Sequence, residues 1–225
     1  GIKSMKIPHF RCCIILVLLT LTFPTDAVAQ QELNVGVLVT RDIAMGATHS
    51  YRITIPAGHY VRLLVEQLEA DIAIKLFHPD GRLLLEIDSP TGSQGPERLS
   101  AITDSEGVYR VDMQRIDKDG DAGRYELKLT DLHLASDADR NIVAGQAAYS
   151  AGDRARVARP ANRPEAFKKY EEAATFYRAA GERSGEGSAL TNLGVVSNQL
   201  GERQKALDYL NRALALHQLV GDRAA

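Results

Sequence analysis

The chain has 225 residues and a net charge of −2; 44% of its residues are hydrophobic and 25% are charged. This composition is typical of a globular protein, and the length suffices for one medium or two small domains. Because lysine and arginine form no basic stripe, we expect no nucleic-acid partner.

The first 29 residues predict a signal peptide for export. Lys6 and Arg11 supply a basic start, and residues 12–23 are apolar apart from two threonines. Ala27 and Ala29 form the small-x-small pattern that signal peptidase accepts, so we expect cleavage before Gln30. The apolar run is shorter than the roughly 20 residues that span a bilayer. We therefore expect a periplasmic or extracellular protein with no membrane span after cleavage.

Both cysteines, Cys12 and Cys13, lie inside this leader. The exported protein therefore has no disulfide and must be stabilised by apolar burial. It also has no cysteine nucleophile, and no serine lies in a Gly-x-Ser-x-Gly motif. We predict that the chain contains no catalytic residue and is not an enzyme. A catalytic domain, if there is one, would lie C-terminal to these residues.

Residues 33–134 alternate between hydrophobic and polar side chains, and glycine-containing turns separate the alternating runs. This pattern predicts seven or eight short strands in an antiparallel, jelly-roll-like β-sandwich. The clearest runs are Ser50–Ile55, Tyr60–Val65, Ile72–Phe77, Leu83–Ile87, Val108–Met113 and Tyr125–Leu129.

An acidic turn lies between the last two of these strands. Asp117, Asp119 and Asp121 place carboxylates at alternate positions around a glycine, a spacing that can wrap a calcium ion. The glutamate that closes an EF-hand is missing, because Lys128 stands at its position. We favour an ordinary turn, which Asp and Gly form readily, with calcium as the alternative. No other cofactor is expected.

After Ser136 the hydrophobic residues no longer alternate but recur at helical spacing. This change predicts a multidomain chain. Residues 136–160 form a predicted connector helix, and Pro164 starts a helix that Gly181 and Gly185 end. Helices over Glu186–Leu200 and Arg203–Val220 complete the region 164–225.

A 40-residue offset relates Glu165–Ala173 to Lys205–Ala213, and Gly181 to Gly221. A repeat of this length predicts stacked helical hairpins that bind partners. The spacing of the small and apolar residues resembles that of a tetratricopeptide repeat, although Ser197 and Gln218 depart from the pattern. The residues at this spacing are Leu190, Leu193, Gly194, Gly201, Ala206, Leu210 and Ala213.

The 40-residue period resembles the repeats found beside CHAT (caspase-like) protease domains in secreted bacterial proteins. The sandwich, through runs such as Asp71–Phe77 and Ala122–Glu126, resembles bacterial pre-peptidase C-terminal domains. Together these resemblances imply that the chain is the N-terminal part of a larger exported protein. In it, an all-α tetratricopeptide array follows the sandwich. We expect the array to be truncated at Ala225 and to self-associate through its open end.

The resemblance further implies that one helix face lines a groove for a peptide. Its residues are Ser188, Thr191, Asn192, Val195 and Asn198, and a solvated polar face is the alternative interpretation. We predict a non-catalytic scaffold that binds a protein or peptide partner. Two alternatives stay open: the sandwich binds carbohydrate or a cell-surface polymer, with calcium or without it, or the chain is the regulatory half of a protease.

Overall fold

A computed structural model describes residues 31–88, 95–117 and 122–221. In these ranges the chain forms two β-sheets followed by four α-helices, which confirms the predicted sandwich and the change to helix after it. The predicted cleavage residues Ala27, Ala29 and Gln30 lie outside the described residues. So do Asp119 and Asp121.

The sandwich is built from short strands, all but one of them antiparallel to their neighbours. Each of the six predicted runs is found as a strand. The strands are β1 (Gln31–Glu32), β2 (Leu38–Ile43), β3 (Thr48–Ile55), β4 (His59–Gln67), β5 (Ile72–Phe77), β6 (Leu83–Ile87), β7 (Pro96–Ile102), β8 (Gly107–Arg115) and β9 (Gly123–Leu134).

The strand order is that of a jelly roll. One sheet runs β1-β3-β8-β5-β6 and the other β2-β9-β4-β7, so consecutive strands repeatedly cross between the sheets. β1 adds to the first sheet in parallel with β3. β7 therefore ends the second sheet as an edge strand, with β4 as its strand partner.

The core lies between the two sheets and is filled by alternate side chains of both. Along β8, for example, Tyr109, Val111 and Met113 are fully buried, while the residues between them are not. The tyrosines that the alternation points inward, Tyr51, Tyr60, Tyr109 and Tyr125, are all buried. Tyr51, Tyr109 and Tyr125 lie in this core, whereas Tyr60 lies on the other face of β4, where it contacts Ser100 and His133, so its inward prediction is wrong. All four rings are buried and offer no exposed aromatic surface to a ligand.

Four helices follow: α1 (Asp137–Ala158), α2 (Arg163–Ala180), α3 (Arg183–Gln199) and α4 (Arg203–Val220), with a 3-10 turn at Pro160–Asn162. None of these described helices has both the length and the apolar character needed to cross a membrane. Ser136 caps α1: its hydroxyl accepts the N–H of Asp139, whose carboxylate accepts the Ser136 N–H in return.

The 40-residue offset is also visible in the backbone. Gly181 ends α2 and Gly221 ends α4, both in the left-handed conformation, with φ of 70° and 69°. Ala166 and Ala173 are buried in α2, as are their equivalents Ala206 and Ala213 in α4.

Small residues set how closely the helices approach. A Cβ at Gly194 would lie 2.6 Å from Leu210 Cγ, so α4 rests directly on the α3 backbone at this point. Gly185 was expected to end a helix, and this is wrong. It lies inside α3, where the Tyr177 ring covers it so closely that a Cβ would come within 2.7 Å.

Candidate functional site

The candidate site is a cleft of about 590 Å³ between the sandwich and the helices. β6 and β7 supply one wall, and α1 and the start of α3 supply the other. Tyr149 and Tyr177 contribute aromatic surface, and Arg62, Arg98 and Arg154 contribute positive charge. The cleft belongs to neither domain alone, since residues more than 100 positions apart line it together.

Gln146 fixes α1 to the edge of the sheet. Its side-chain oxygen accepts the Ser100 N–H at 2.7 Å, and its side-chain nitrogen donates to the Ser100 carbonyl at 3.0 Å. Both residues are buried. This amide makes the two hydrogen bonds that a neighbouring strand would make, and so satisfies main-chain groups that would otherwise be buried without partners.

A second contact across the two domains joins Arg62 of β4 to Glu182 at the start of α3. The guanidinium lies 2.8 Å from the carboxylate, and both side chains are mostly buried. Arg62 is therefore neutralised within the cleft. Arg98 and Arg154 are different, because neither forms an ion pair with any residue in the described ranges.

The floor of the cleft on the helical side contains a buried polar network. The Tyr170 hydroxyl donates to Asp153 at 2.6 Å, and Arg156 lies 3.9 Å from the same carboxylate oxygen. Burial raises the pKa of Asp153 above its usual range, although the Tyr170 hydrogen bond works in the opposite direction. Tyr149 stacks edge-on against Tyr170 at 5.5 Å between ring centres. The network joins α2 to α1 behind this wall of the cleft.

The five predicted groove residues share one broad face of α3 but have different surroundings. Ser188 lines the cleft. Asn192 donates to the Tyr149 hydroxyl of α1 at 2.7 Å, and Thr191 lies instead beside His217 of α4. Val195 is half-buried, and Asn198 is exposed at the end of the helix. Of the five, only Ser188 therefore belongs to the cleft.

Asp117, the described member of the predicted calcium turn, is engaged by an arginine. Its two carboxylate oxygens accept from Arg115 at 2.7 and 2.6 Å, and the Arg115 side chain is buried and also donates to the Ile43 carbonyl. This pairing lowers the pKa of Asp117. In the ranges that the structure describes, no cluster of three or more histidine, cysteine or acidic side chains is placed to hold a metal ion.

A row of three polar side chains crosses two turns of the sandwich. His78 Nε2 lies 2.7 Å from Ser105 Oγ, and His78 Nδ1 lies 2.9 Å from Asp80 Oδ2. A hydrolytic triad has the same order of groups. Here, however, Asp104 competes for Nε2 at 3.4 Å, and the Tyr109 hydroxyl donates to the Ser105 carbonyl. We assign this row to holding the two turns together.

Sequence patterns did not reveal the cleft residues of β7. Glu97 is buried and Ser100 is buried, so this strand lacks the apolar alternation that marks the others. Glu97 is reached by the side chain of Gln67, and the Ser100 hydroxyl lies 3.0 Å from the Tyr60 hydroxyl. The one available signal was the spacing between turns, which leaves room for a strand after β6.

No protein-family model matches this chain, and no curated protein matches it. Solved structures that it resembles include the periplasmic inhibitor of g-type lysozyme from Aeromonas hydrophila, PliG. The identity is 13% over 47% of this chain and all of that one, with a TM-score of 0.34.

Two other solved structures resemble a similar share of this chain. The pre-peptidase C-terminal domain of collagenase from Bacillus anthracis is 14% identical over 45% of this chain and 94% of that chain, with a TM-score of 0.34. A family 35 carbohydrate binding module from an environmental isolate is 14% identical over 48% of this chain and 85% of its own, with a TM-score of 0.30. At this level of similarity none of the three indicates what the present chain binds.

Proposed function

We propose that this chain is a non-catalytic binding module of an exported protein, and that it holds a segment of a partner protein in the interdomain cleft. The observation that carries the proposal is the pair of arginines, Arg98 and Arg154, in a cleft that two domains build together. A positively charged side chain with no ion-pair partner is available to a ligand, whereas Arg62 is already held by Glu182.

The cleft is open and long enough to receive a chain segment. It lies open between a sheet edge and two helices, and its volume of about 590 Å³ accommodates several residues. Aromatic side chains such as Tyr149 and Tyr177 provide rigid apolar contact, and Ser150 and Ser188 provide hydrogen-bonding groups beside them. Protein-binding sites commonly combine these features.

In this proposal the helices are two tetratricopeptide-type hairpins, α1 with α2 and α3 with α4. The matched glycine ends of α2 and α4 and the matched buried alanines support this assignment. The concave side of such an array receives extended segments, and here the sandwich closes one side of it. The larger protein would be an exported CHAT-type protein in which this region recognises a partner.

The test is a selection of linear peptides from a random display library, followed by fluorescence anisotropy of the enriched peptides. Ser150→Trp, which fills the cleft, should weaken their binding by about tenfold or more, equivalent to roughly 1.4 kcal/mol. Thr175→Trp, on the exposed side of α2, is the matched control and should leave binding unchanged. Equal urea midpoints would show that both variants fold.

Two results would overturn the proposal. One is that the enriched peptides bind both tryptophan variants as well as the wild type. The other is that the library yields no cleft-dependent peptide while a glycan array yields a clear ligand, which would establish carbohydrate binding instead.

A further inference from the structure

We infer that the bound segment lies as an added strand along the outer edge of β7, with an acidic side chain directed at Arg98 and Arg154. This inference rests on the proposed function, because it places the ligand in the same cleft. It adds the backbone conformation of the ligand, its position on the sheet and the charge that the cleft selects.

The first step concerns the direction of the β7 main chain. β7 pairs with β4 in the register Arg62↔Ser100 and Leu64↔Arg98. Gln146 takes both main-chain groups of Ser100, so these groups point away from β4. Because the main-chain groups of an antiparallel strand alternate in direction, those of Arg98 point the same way.

The outward groups of Arg98 are therefore free to pair. In the described part of the chain, its N–H and C=O form no hydrogen bond on the outer side of the sheet. Arg98 lines the cleft between Pro96 and Ser100, both of which also line it. An unpaired sheet edge of this kind is the template for strand addition by an extended peptide.

The ends of this free edge set the length that can pair. Gln146 already occupies the edge at Ser100, and Pro96 has no N–H to donate. A paired stretch of about three residues, centred opposite Arg98, fits between these limits at the usual strand rise. The Gln146 amide shows how such a pairing is made, since it already binds this edge as a peptide group would.

The charges around the edge select the side chain. Arg98 and Arg154 form no ion pair among the described residues, and Asp88 and Glu86 lie on the β6 side. Two more acidic residues, Glu97 and Asp153, line the cleft but are buried, and the charge of Arg154 also acts on Asp153. Glu86 is paired with Lys75 at 3.3 Å, whereas Asp88 has no ion pair among the described residues. A single carboxylate on the ligand is attracted to the arginines, but a polyacidic segment would also meet Asp88. The preferred ligand is an extended segment with one acidic residue.

The experiment uses a short capped peptide in which valine and threonine alternate around a central glutamate, and the same peptide with a central lysine. Binding to the full chain is measured by anisotropy. The glutamate peptide should bind about tenfold more tightly or better. Arg98→Gln combined with Arg154→Gln should remove this preference, and Arg82→Gln, an exposed arginine outside the cleft, should preserve it.

N-methylation then tests the added strand. Methylating the peptide nitrogens one at a time should abolish binding at the position that faces β7 and spare the next position, which faces solvent. If methylation has the same effect at both positions while Ser150→Trp still blocks binding, strand addition is wrong and the proposed function survives. If the glutamate peptide fails to bind, or binds no better than the lysine peptide, the charge assignment is wrong. Unchanged binding to Ser150→Trp contradicts both proposals.

Discussion

The side-chain amide of Gln146 joins the main chain of Ser100 through two hydrogen bonds, 46 residues away along the sequence. This pair fixes α1 directly to the edge of the sheet. It determines where the cleft begins, because it closes the edge of β7 at one end and leaves the edge open at the other.

Replacing Gln146 by glutamate should loosen the helices from the sandwich. The carboxylate can still accept the Ser100 N–H, but it faces the Ser100 carbonyl with no proton to donate. A buried group left without its partner costs about 1–3 kcal/mol. Urea unfolding followed by circular dichroism should show this loss. Gln218→Glu, at an exposed position of α4, is the control and should unfold as the wild type does.

Substituting Gly152 by alanine should destabilise the first helical hairpin. The new Cβ would lie 2.7 Å from Tyr170 Cε1, so the ring must move away from Asp153. Overpacking of this kind costs about 1–3 kcal/mol. The measurement is the urea midpoint in a double-mutant cycle with Tyr170→Leu. The two changes should be less than additive; full additivity would mean that the contact is not the cause.

Acid should weaken the start of α1 through Asp139. Burial pushes the pKa of Asp139 up, but hydrogen bonds from Ser136 and the contact with His133 outweigh burial and leave that pKa below its ordinary value. The carboxylate therefore stabilises the fold fully above the unfolded-state pKa of about 3.9, and this contribution is lost as pH falls through the folded-state pKa.

The measurement is the free energy of unfolding of the wild type and of Asp139→Asn, compared between pH 6 and pH 3. The wild type should be the more stable at pH 6, and the difference should shrink towards pH 3. Asp137→Asn removes an exposed carboxylate from the same turn and controls for the helix dipole. A difference that is the same at both pH values would contradict the assignment.

The outer face of α4 should make the chain self-associate. Leu207, Leu210 and Leu214 lie on one stripe and are each at least 40% exposed, although part of the Leu210 side chain also packs against Gly194 of α3. Their equivalents in α2 are Phe167, Tyr170 and Ala174, of which the last two are buried. Neighbouring exposed apolar side chains on one helix face favour association.

Light scattering after size-exclusion chromatography, over a range of protein concentrations, should show this association. Changing Leu207 and Leu214 to glutamate should restore a monomer, and Leu210 is kept because it packs against Gly194. Leu134→Glu alters a single exposed leucine of the sandwich and should have no such effect. A wild type that stays monomeric at every concentration would rule the prediction out.

The sequence predicts most elements of this fold because one face of each is buried against a single core. Alternation locates β3, β4, β5, β8 and β9, and the stripe of Ala166, Tyr170, Ala173 and Tyr177 locates α2. Where a buried position is polar, the pattern fails. The pattern misses β7 for this reason. Glu97 and Ser100 are polar but buried, because distant side chains form hydrogen bonds with them.

The cleft itself could not be predicted from local patterns. Its walls come from β6, β7, α1 and α3, and their positions depend on pairings between distant residues. Gly185 illustrates the same limit. In isolation a glycine suggests the end of a helix, whereas here it lies within α3 because the Tyr177 ring needs the space that a side chain would fill.

The ion pair between Arg62 and Glu182 closes a loop of 120 residues. Closing a loop of this length costs conformational entropy, because the chain must bring two distant segments together. Without α3 the Arg62 side chain lacks its Glu182 partner, and without α1 the edge of β7 lacks Gln146. The cleft therefore exists only when both the sandwich and the helices are folded, and binding competence reports that both halves of the chain are in place.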